Sequence, residues 1–505
     1  MQSRKAKQPI RTARAAWLAA SAVLLSLTAP LTAAATTSPP ALRWSECAGQ
    51  GLDPRQRCAT VEVPLDHADP SGPTIDVVIS RIPAENPAER RGVLLLIPGG
   101  PGGTSLADPS GKGQRLPQGV RDTYDLVGFA PRGMAPSTSV SCGLDRADLA
   151  TTRLRPWPAA DGSVTETMAT ARRMADACAR NGGELMRHIS TADEARDLDR
   201  IRAALGERRL SAWGVSYGTY VGAVYGQLFP HRVDRVVLDS NDDPDPRRVG
   251  RGWLAAHERG VEDVFPEFAA WASAPGNPNR VAESADEVRP LFLRLAARLD
   301  HEPIPWPGAN PEVLDGNVLR QAMLDSLYSP SRFPALAKLM LAAGNGTVPP
   351  APAAPPESVL QNVTAVGAAT LCNDVAWPTS ADAYQREVAV SREEYPLTAG
   401  MPRNAMLCAA WPHPPKQAPV RITDEGPSRF LLVQNVRDVA TPLSGAQRLR
   451  AALGGRAVMV TVDSTGHDVY LTNGNACGDD TVSRFLETGI RPAEDAFCPR
   501  EPSVG

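Results

Sequence analysis

The 505-residue chain carries 53 Lys plus Arg against 56 Asp plus Glu, a formal net charge of −3. That balance offers no positive field for a phosphate backbone, so nucleic-acid binding is excluded as a main role. Beyond the N-terminus no run reaches the ~18 apolar residues needed to span a bilayer, so no membrane span is expected.

Residues 1–35 read as a secretory signal. Arg4, Lys5, Lys7, Arg11 and Arg14 precede the apolar stretch Ala15 to Leu31 and a small-residue cleavage site at Ala33-Ala34-Ala35. Removing those positive charges leaves an acidic extracellular protein. Eight cysteines in an exported chain imply four disulfides. Spacing favours Cys47 with Cys58, Cys142 with Cys178, Cys372 with Cys408, and Cys477 with Cys498. No C-x-x-C pair exists to favour zinc.

The first elements are a hairpin, Val61 to Pro64 and Thr74 to Ile82, then the apolar strand Val93 to Ile97. That strand runs into Pro98-Gly99-Gly100-Pro101-Gly102-Gly103, a loop whose backbone can approach a ligand closely. It lacks the lysine and hydroxyl residue of a phosphate-cradling loop. A strand at Asp125 to Ala130 and a helix at Asp193 to Leu205 follow. The run Leu210 to Val215 then leads into Trp213-Gly214-Val215-Ser216-Tyr217-Gly218 and a small-residue helix, Gly218 to Gln227. Strand, G-x-S-x-G and helix together make a nucleophile elbow, with Ser216 as nucleophile.

After a strand at Val236 to Asp239 the pattern changes. Residues 244–428 are rich in Trp and Pro and hold helical stretches such as Glu287 to Leu299 and Val318 to Tyr328, with a Pro/Ala-rich break at Val348 to Pro356. They are expected to form an inserted cap between core segments 36–243 and 429–505. The core resumes with the apolar run Phe430 to Val433, which delivers Asp438 just beyond it. A helix at Ser444 to Leu453 and a strand at Ala457 to Val462 lead to Gly466-His467.

The order Ser216, Asp438, His467, each on a strand-to-helix loop, is that of the α/β-hydrolase fold: an α/β class with a mostly parallel sheet. A neutral serine hydroxyl needs an adjacent imidazole to take its proton, and a carboxylate to orient that imidazole. The amides of Gly100 and Tyr217 are the expected oxyanion donors. The other histidines, His67, His188, His231, His257, His301 and His413, sit in surface-like polar or Pro-rich surroundings without a preceding strand and glycine turn.

Several segments, in this order, resemble the secreted tripeptidyl aminopeptidases, relatives of the proline iminopeptidases. They are Pro98 to Gly103, Asp125 to Gly133 with Pro131-Arg132-Gly133, Thr191 to Asp199, Trp213 to Tyr220, Leu228 to Pro230, Arg235 to Asp239, Leu371 to Asp374, Asp438 to Pro442, and Gly466-His467. The resemblance implies a secreted serine exopeptidase acting on free N-termini. The chain departs from the family pattern at Ala130, at Ser240 to Asp243, and at Asp468, where glycine is usual.

An exopeptidase of this kind binds a substrate ammonium, and Asp242, Asp243 and Asp374 are the expected carboxylates. Asp239, Asn241 and Asp243 alternate as in a calcium loop, but Pro244 stands at the turn glycine and Gly250 at the bidentate glutamate, so no metal is expected. No cofactor is expected either. The partner is a peptide or small-molecule substrate, and nothing specifies an assembly beyond a monomer. A carboxylesterase or lactonase with the same triad is the alternative.

Overall fold

In the computed structural model, which describes residues 42–501, a ten-stranded sheet runs through the core. Its strands are β1 (Ser45–Glu46), β2 (Arg57–Pro64), β3 (Thr74–Ile82), β4 (Gly92–Ile97), β5 (Tyr124–Phe129), β6 (Leu210–Val215), β7 (Val233–Asp239), β10 (Phe430–Arg437), β11 (Ala457–Thr465) and β12 (Ala496–Cys498). A separate two-stranded ribbon, β8 (Ile304–Pro305) with β9 (Val313–Leu314), lies in the helical stretch. The sheet order is β1-β2-β3-β5-β4-β6-β7-β10-β11-β12. The first three pair antiparallel with one another and onto β5, and all later pairings are parallel.

The central strands are largely apolar because both sheet faces are covered. Alternation divides them: Val93, Leu95 and Ile97 enter one core, Leu94 and Leu96 the other. Parallel register brings the C-terminal ends of these strands to one edge. Ile97 pairs with Gly214, Val215 with Asp239, and Val433 with Asp239. The glycine loop, Ser216, Asp242, Asp438 and His467 all follow strand ends on that edge, the usual place for a site in a parallel sheet.

Two excursions rise from it. Between β5 and β6 lie helices Thr151–Leu154 and Thr165–Asn181, and between β7 and β10 six helices span Arg251–Ser273 through Ala381–Glu394. The Val348 to Pro356 break has no regular structure. Described residues, excursions included, belong to one compact unit. The four disulfides pair as spacing predicts: Cys47–Cys58, Cys142–Cys178, Cys372–Cys408 and Cys477–Cys498. The expected signal at 1–35 lies outside the described residues. Among those residues no helix is long and apolar enough to cross a membrane.

Candidate active site

Ser216 has φ 57° and ψ −127°, a left-handed conformation that a non-glycine residue adopts only under constraint. Its neighbours impose it. A Cβ on Gly214 would collide with the carbonyl of Gly218, and one on Gly218 would lie 2.5 Å from the carbonyl of Ile97. Strand, elbow and helix Tyr217–Leu228 therefore approach more closely than any side chain allows. The Ser216 N–H donates to the carbonyl of Asp239 at 3.0 Å. Its hydroxyl has no hydrogen-bond partner among the described residues, and opens onto a cavity.

Asp438 is buried just past β10. Nδ1 of His467 lies 3.0 Å from both of its carboxylate oxygens. The amides of Ala440 and Thr441 donate to Oδ1 at 2.9 and 3.0 Å, and the Thr441 hydroxyl to Oδ2 at 2.9 Å. Burial opposes ionisation of Asp438, but the His467 charge and these donors outweigh it and hold the carboxyl below its ordinary range. For His467 burial likewise disfavours the charge, and Asp438 overcomes it, raising the imidazole above its ordinary 6.5.

The His467 loop is held by buried groups that motif spacing does not reveal. The Asp239 carboxylate, at the end of β7, accepts the amides of Val469 and Tyr470 at 2.9 and 3.0 Å. Asn435 donates to the carbonyls of Gly466 and Asp468 at 2.8 and 3.1 Å. The His467 amide donates to the Tyr328 carbonyl at 2.8 Å, and the two rings meet edge to face with centroids 5.3 Å apart. Asp239 and Asn435 are thus positioning residues, legible only as polar residues ending apolar strands.

Two departures from the family pattern fall at backbone positions suited to glycine. Ser240 has φ 59° and Asp468 φ 72°. The Ser240 hydroxyl accepts the Asp468 amide at 2.9 Å, so the two strained residues hold each other.

A cavity of about 340 Å³ opens above Ser216. Gly100, Pro101, Asp242 and Thr441 line its sheet side, and Trp253, Tyr328 and Leu371 from the longer excursion line the other. Arg155 and Met174, from the excursion between β5 and β6, complete the wall. That contribution was not expected from the sequence, where the cover falls in 244–428 alone. The amides of Gly100 and Tyr217 donate to nothing else among the described residues. The glycine loop leans on helix Glu357–Asp374: a Cβ on Gly102, at φ 94°, would meet the Val363 carbonyl at 2.7 Å.

Of the expected ammonium anchors, only Asp242 lines this cavity. Its carboxylate meets no hydrogen-bond donor among the described residues, and burial pushes it up to about 7. Asp243 turns away, to an ion pair with Arg448 at 2.7 Å. Asp374 sits behind the elbow, accepting from the Thr191 amide at 2.9 Å and its hydroxyl at 2.5 Å. The Thr191 hydroxyl also meets the Tyr217 hydroxyl at 2.9 Å, which in turn lies 3.0 Å from Glu194. The expectation that Asp243 and Asp374 face substrate is thereby corrected: both carboxylates are taken up by internal partners.

The surface-like surroundings expected for three of the other histidines are corrected too. His188 and His257 are buried, and the His67 side chain is enclosed beside Asp197 and the buried Arg132. Polar or Pro-rich flanks do not expose a residue whose partners come from distant segments. Arg132 of the Pro-Arg-Gly motif grips Asp197 through Nε and Nη2 at 2.6 and 2.7 Å, so that motif serves the fold.

Relatives of known name place this geometry in a family. A tripeptidyl aminopeptidase of Streptomyces lividans is 32% identical over 483 residues, covering 92% of this chain and 88% of the relative. The chain belongs to the tripeptidyl aminopeptidase family. The model of the TAP-like protein family matches residues 395–498, which carry Asp438 and His467. Serine protease Hip1 of Mycobacterium tuberculosis is 30% identical over 467 residues, 87% of either chain. A protein named carboxylesterase B from the same species is 30% identical over 518 residues, covering 94% of this chain and 95% of that one. This member of the tripeptidyl aminopeptidase family is accordingly a hydrolase of the α/β-hydrolase fold with serine-peptidase relatives.

Proposed function

We propose that the protein is a secreted serine exopeptidase that releases short peptides from a free N-terminus, with Ser216, His467 and Asp438 as its triad. The observation that carries this reading is Asp242. Its carboxylate, with no partner among the described residues, shares one cavity with Ser216. A substrate ammonium there would satisfy a buried acid that is otherwise costly to keep. A plain esterase has no use for that charge.

In this mechanism the Ser216 oxygen attacks the scissile carbonyl while Nε2 of His467 takes its proton. The oxyanion receives the amides of Gly100 and Tyr217. Collapse breaks the C–N bond, His467 returns the proton to the leaving amine, and an acyl ester remains on Ser216. Water, deprotonated by His467, then cleaves that ester and frees the N-terminal fragment. Asp438 keeps the imidazole in the Nδ1–H tautomer and balances the imidazolium. Segment 244–428 acts as the main cap, closing the cavity to folded chains. The tripeptidyl name of the S. lividans relative supports release of three residues at a time. Export is supported by the basic, then apolar leader and by four disulfides.

A panel of free-amine peptide reporters, their N-acetylated forms and simple acyl esters tests the reading. Free-amine peptides are expected to exceed acetylated ones by at least about tenfold in kcat/KM, the worth of one charge-assisted hydrogen bond. Equal turnover of both peptides with faster esters would replace it by the esterase alternative, which the carboxylesterase B relative favours.

A further inference from the structure

Arg155 is a cation that makes no ion pair with any carboxylate among the described residues. It lies between helices Thr151–Leu154 and Thr165–Asn181, packed inside the protein with part of its surface open to the Ser216 cavity. Nη1 donates to Nε2 of His257 at 3.1 Å and Nη2 to the Tyr328 hydroxyl at 3.2 Å. Both acceptors are neutral. His257 is buried, and burial followed by the Arg155 charge pushes its imidazole down to about 3, leaving Nε2 a bare lone pair. Its Nδ1–H donates to the Leu254 carbonyl at 3.2 Å. The carboxylate that Arg155 senses, Asp325, makes no ion pair with it and accepts from Gln321 at 2.9 Å. The neighbouring Arg153, by contrast, is neutralised by Glu166.

A guanidinium stays protonated at any working pH and is expensive to enclose without a counter-ion. Here two neutral groups hold it in a fixed orientation without cancelling its charge. The same wall carries apolar Leu154, Met174 and Leu254, and also Arg153, whose charge Glu166 takes up. Across the same cavity stands Asp242, a carboxylate equally without a partner among the described residues.

We propose that Arg155 is an anion-recognition residue of the substrate cavity, selecting short peptides that carry a carboxylate in addition to the free amine. The carboxylate belongs to an acidic side chain or to the C-terminus of the peptide itself. A planar guanidinium anchored at two of its nitrogens presents its remaining N–H groups in fixed directions, and a carboxylate accepts from them with a geometry that a mobile point charge does not impose. The proposal rests on the peptidase reading, and its own evidence is the charge on the far wall.

The experiment uses matched free-amine peptides of three to six residues. One pair differs as C-terminal acid against amide, and others as Glu against Gln at each position. The expected result is a preference of at least about tenfold in kcat/KM for one carboxylate-bearing member, falling to near unity in Arg155→Gln and partly restored in Arg155→Lys. The pair that shows it tells a terminal from a side-chain carboxylate. Binding of the same pairs to Ser216→Ala by calorimetry reads the preference with Arg155 in place, so the test survives a misfolded Arg155 variant. No preference in any pair, or a preference that persists in Arg155→Gln, overturns the proposal. Loss of the free-amine preference instead overturns the peptidase reading, since it is measured on the other end of the peptide.

Discussion

Oδ1 of Asp468 lies 3.7 Å from Nε2 of His467, the ring nitrogen opposite the one that Asp438 holds. The imidazole is therefore flanked by carboxylates on both sides, with the Tyr328 ring against its face and Asp242 close enough for their charges to interact. Burial opposes the imidazolium, but Asp438 and more weakly Asp468 favour it, and the net shift is upward. A general base works only when neutral, so activity is lost as pH falls through a raised pKa. The acid limb of kcat/KM is expected above 6.5, and Asp468→Gly, which also suits φ 72°, is expected to move it down. pH–rate profiles of the two proteins check this. An unmoved limb would assign the whole shift to Asp438.

Asp242→Asn is expected to shrink the gap between free-amine and acetylated reporters from at least about tenfold to about twofold. Asp374→Asn is expected to leave that gap in place while lowering thermal stability, because its carboxylate serves Thr191 behind the elbow. Steady-state kinetics on both variants, with melting curves, separates a cavity charge from an internal one.

Asp239→Ala strands the buried amides of Val469 and Tyr470. Each unsatisfied donor costs about 1–3 kcal/mol, so a loss of about 3 kcal/mol is expected in chemical denaturation. A fall in kcat beyond the loss of folded protein is also expected, since His467 precedes this anchored turn. Full kcat in the folded fraction would show that the turn keeps its place without Asp239.

Ser216→Ala is expected to abolish both peptide hydrolysis and labelling by a fluorophosphonate, with the melting temperature kept, since alanine retains the same Cβ at φ 57° and the hydroxyl it loses has no partner among the described residues. Mass spectrometry of the labelled protein locates the modified residue. A label found on another serine would remove Ser216 from the mechanism.

Local patterns made much of this legible. Apolar runs such as Val93 to Ile97 and Leu210 to Val215 have no reading other than buried strands, and each lies within an observed strand. Cysteines close in sequence also paired with one another. Side-chain direction was not legible. Asp242 and Asp243 are neighbours in sequence, yet the turn after Ser240, at φ 59°, aims one into the cavity and leaves the other to Arg448. Arg155 and His257 were hidden for a related reason. Their shared surroundings are assembled from segments about a hundred residues apart.

The close approach of Gly102 to the Val363 carbonyl, matched by Gly367 against the Pro101 carbonyl, joins the glycine loop to the helix that also walls the cavity. A ligand too bulky for the wall pushes on the same rod that sets the height of the Gly100 amide. Under the proposed mechanism, misfit is then expected to slow the chemical step as well as to weaken binding. Selectivity of this kind is read in turnover at saturation and not in binding alone.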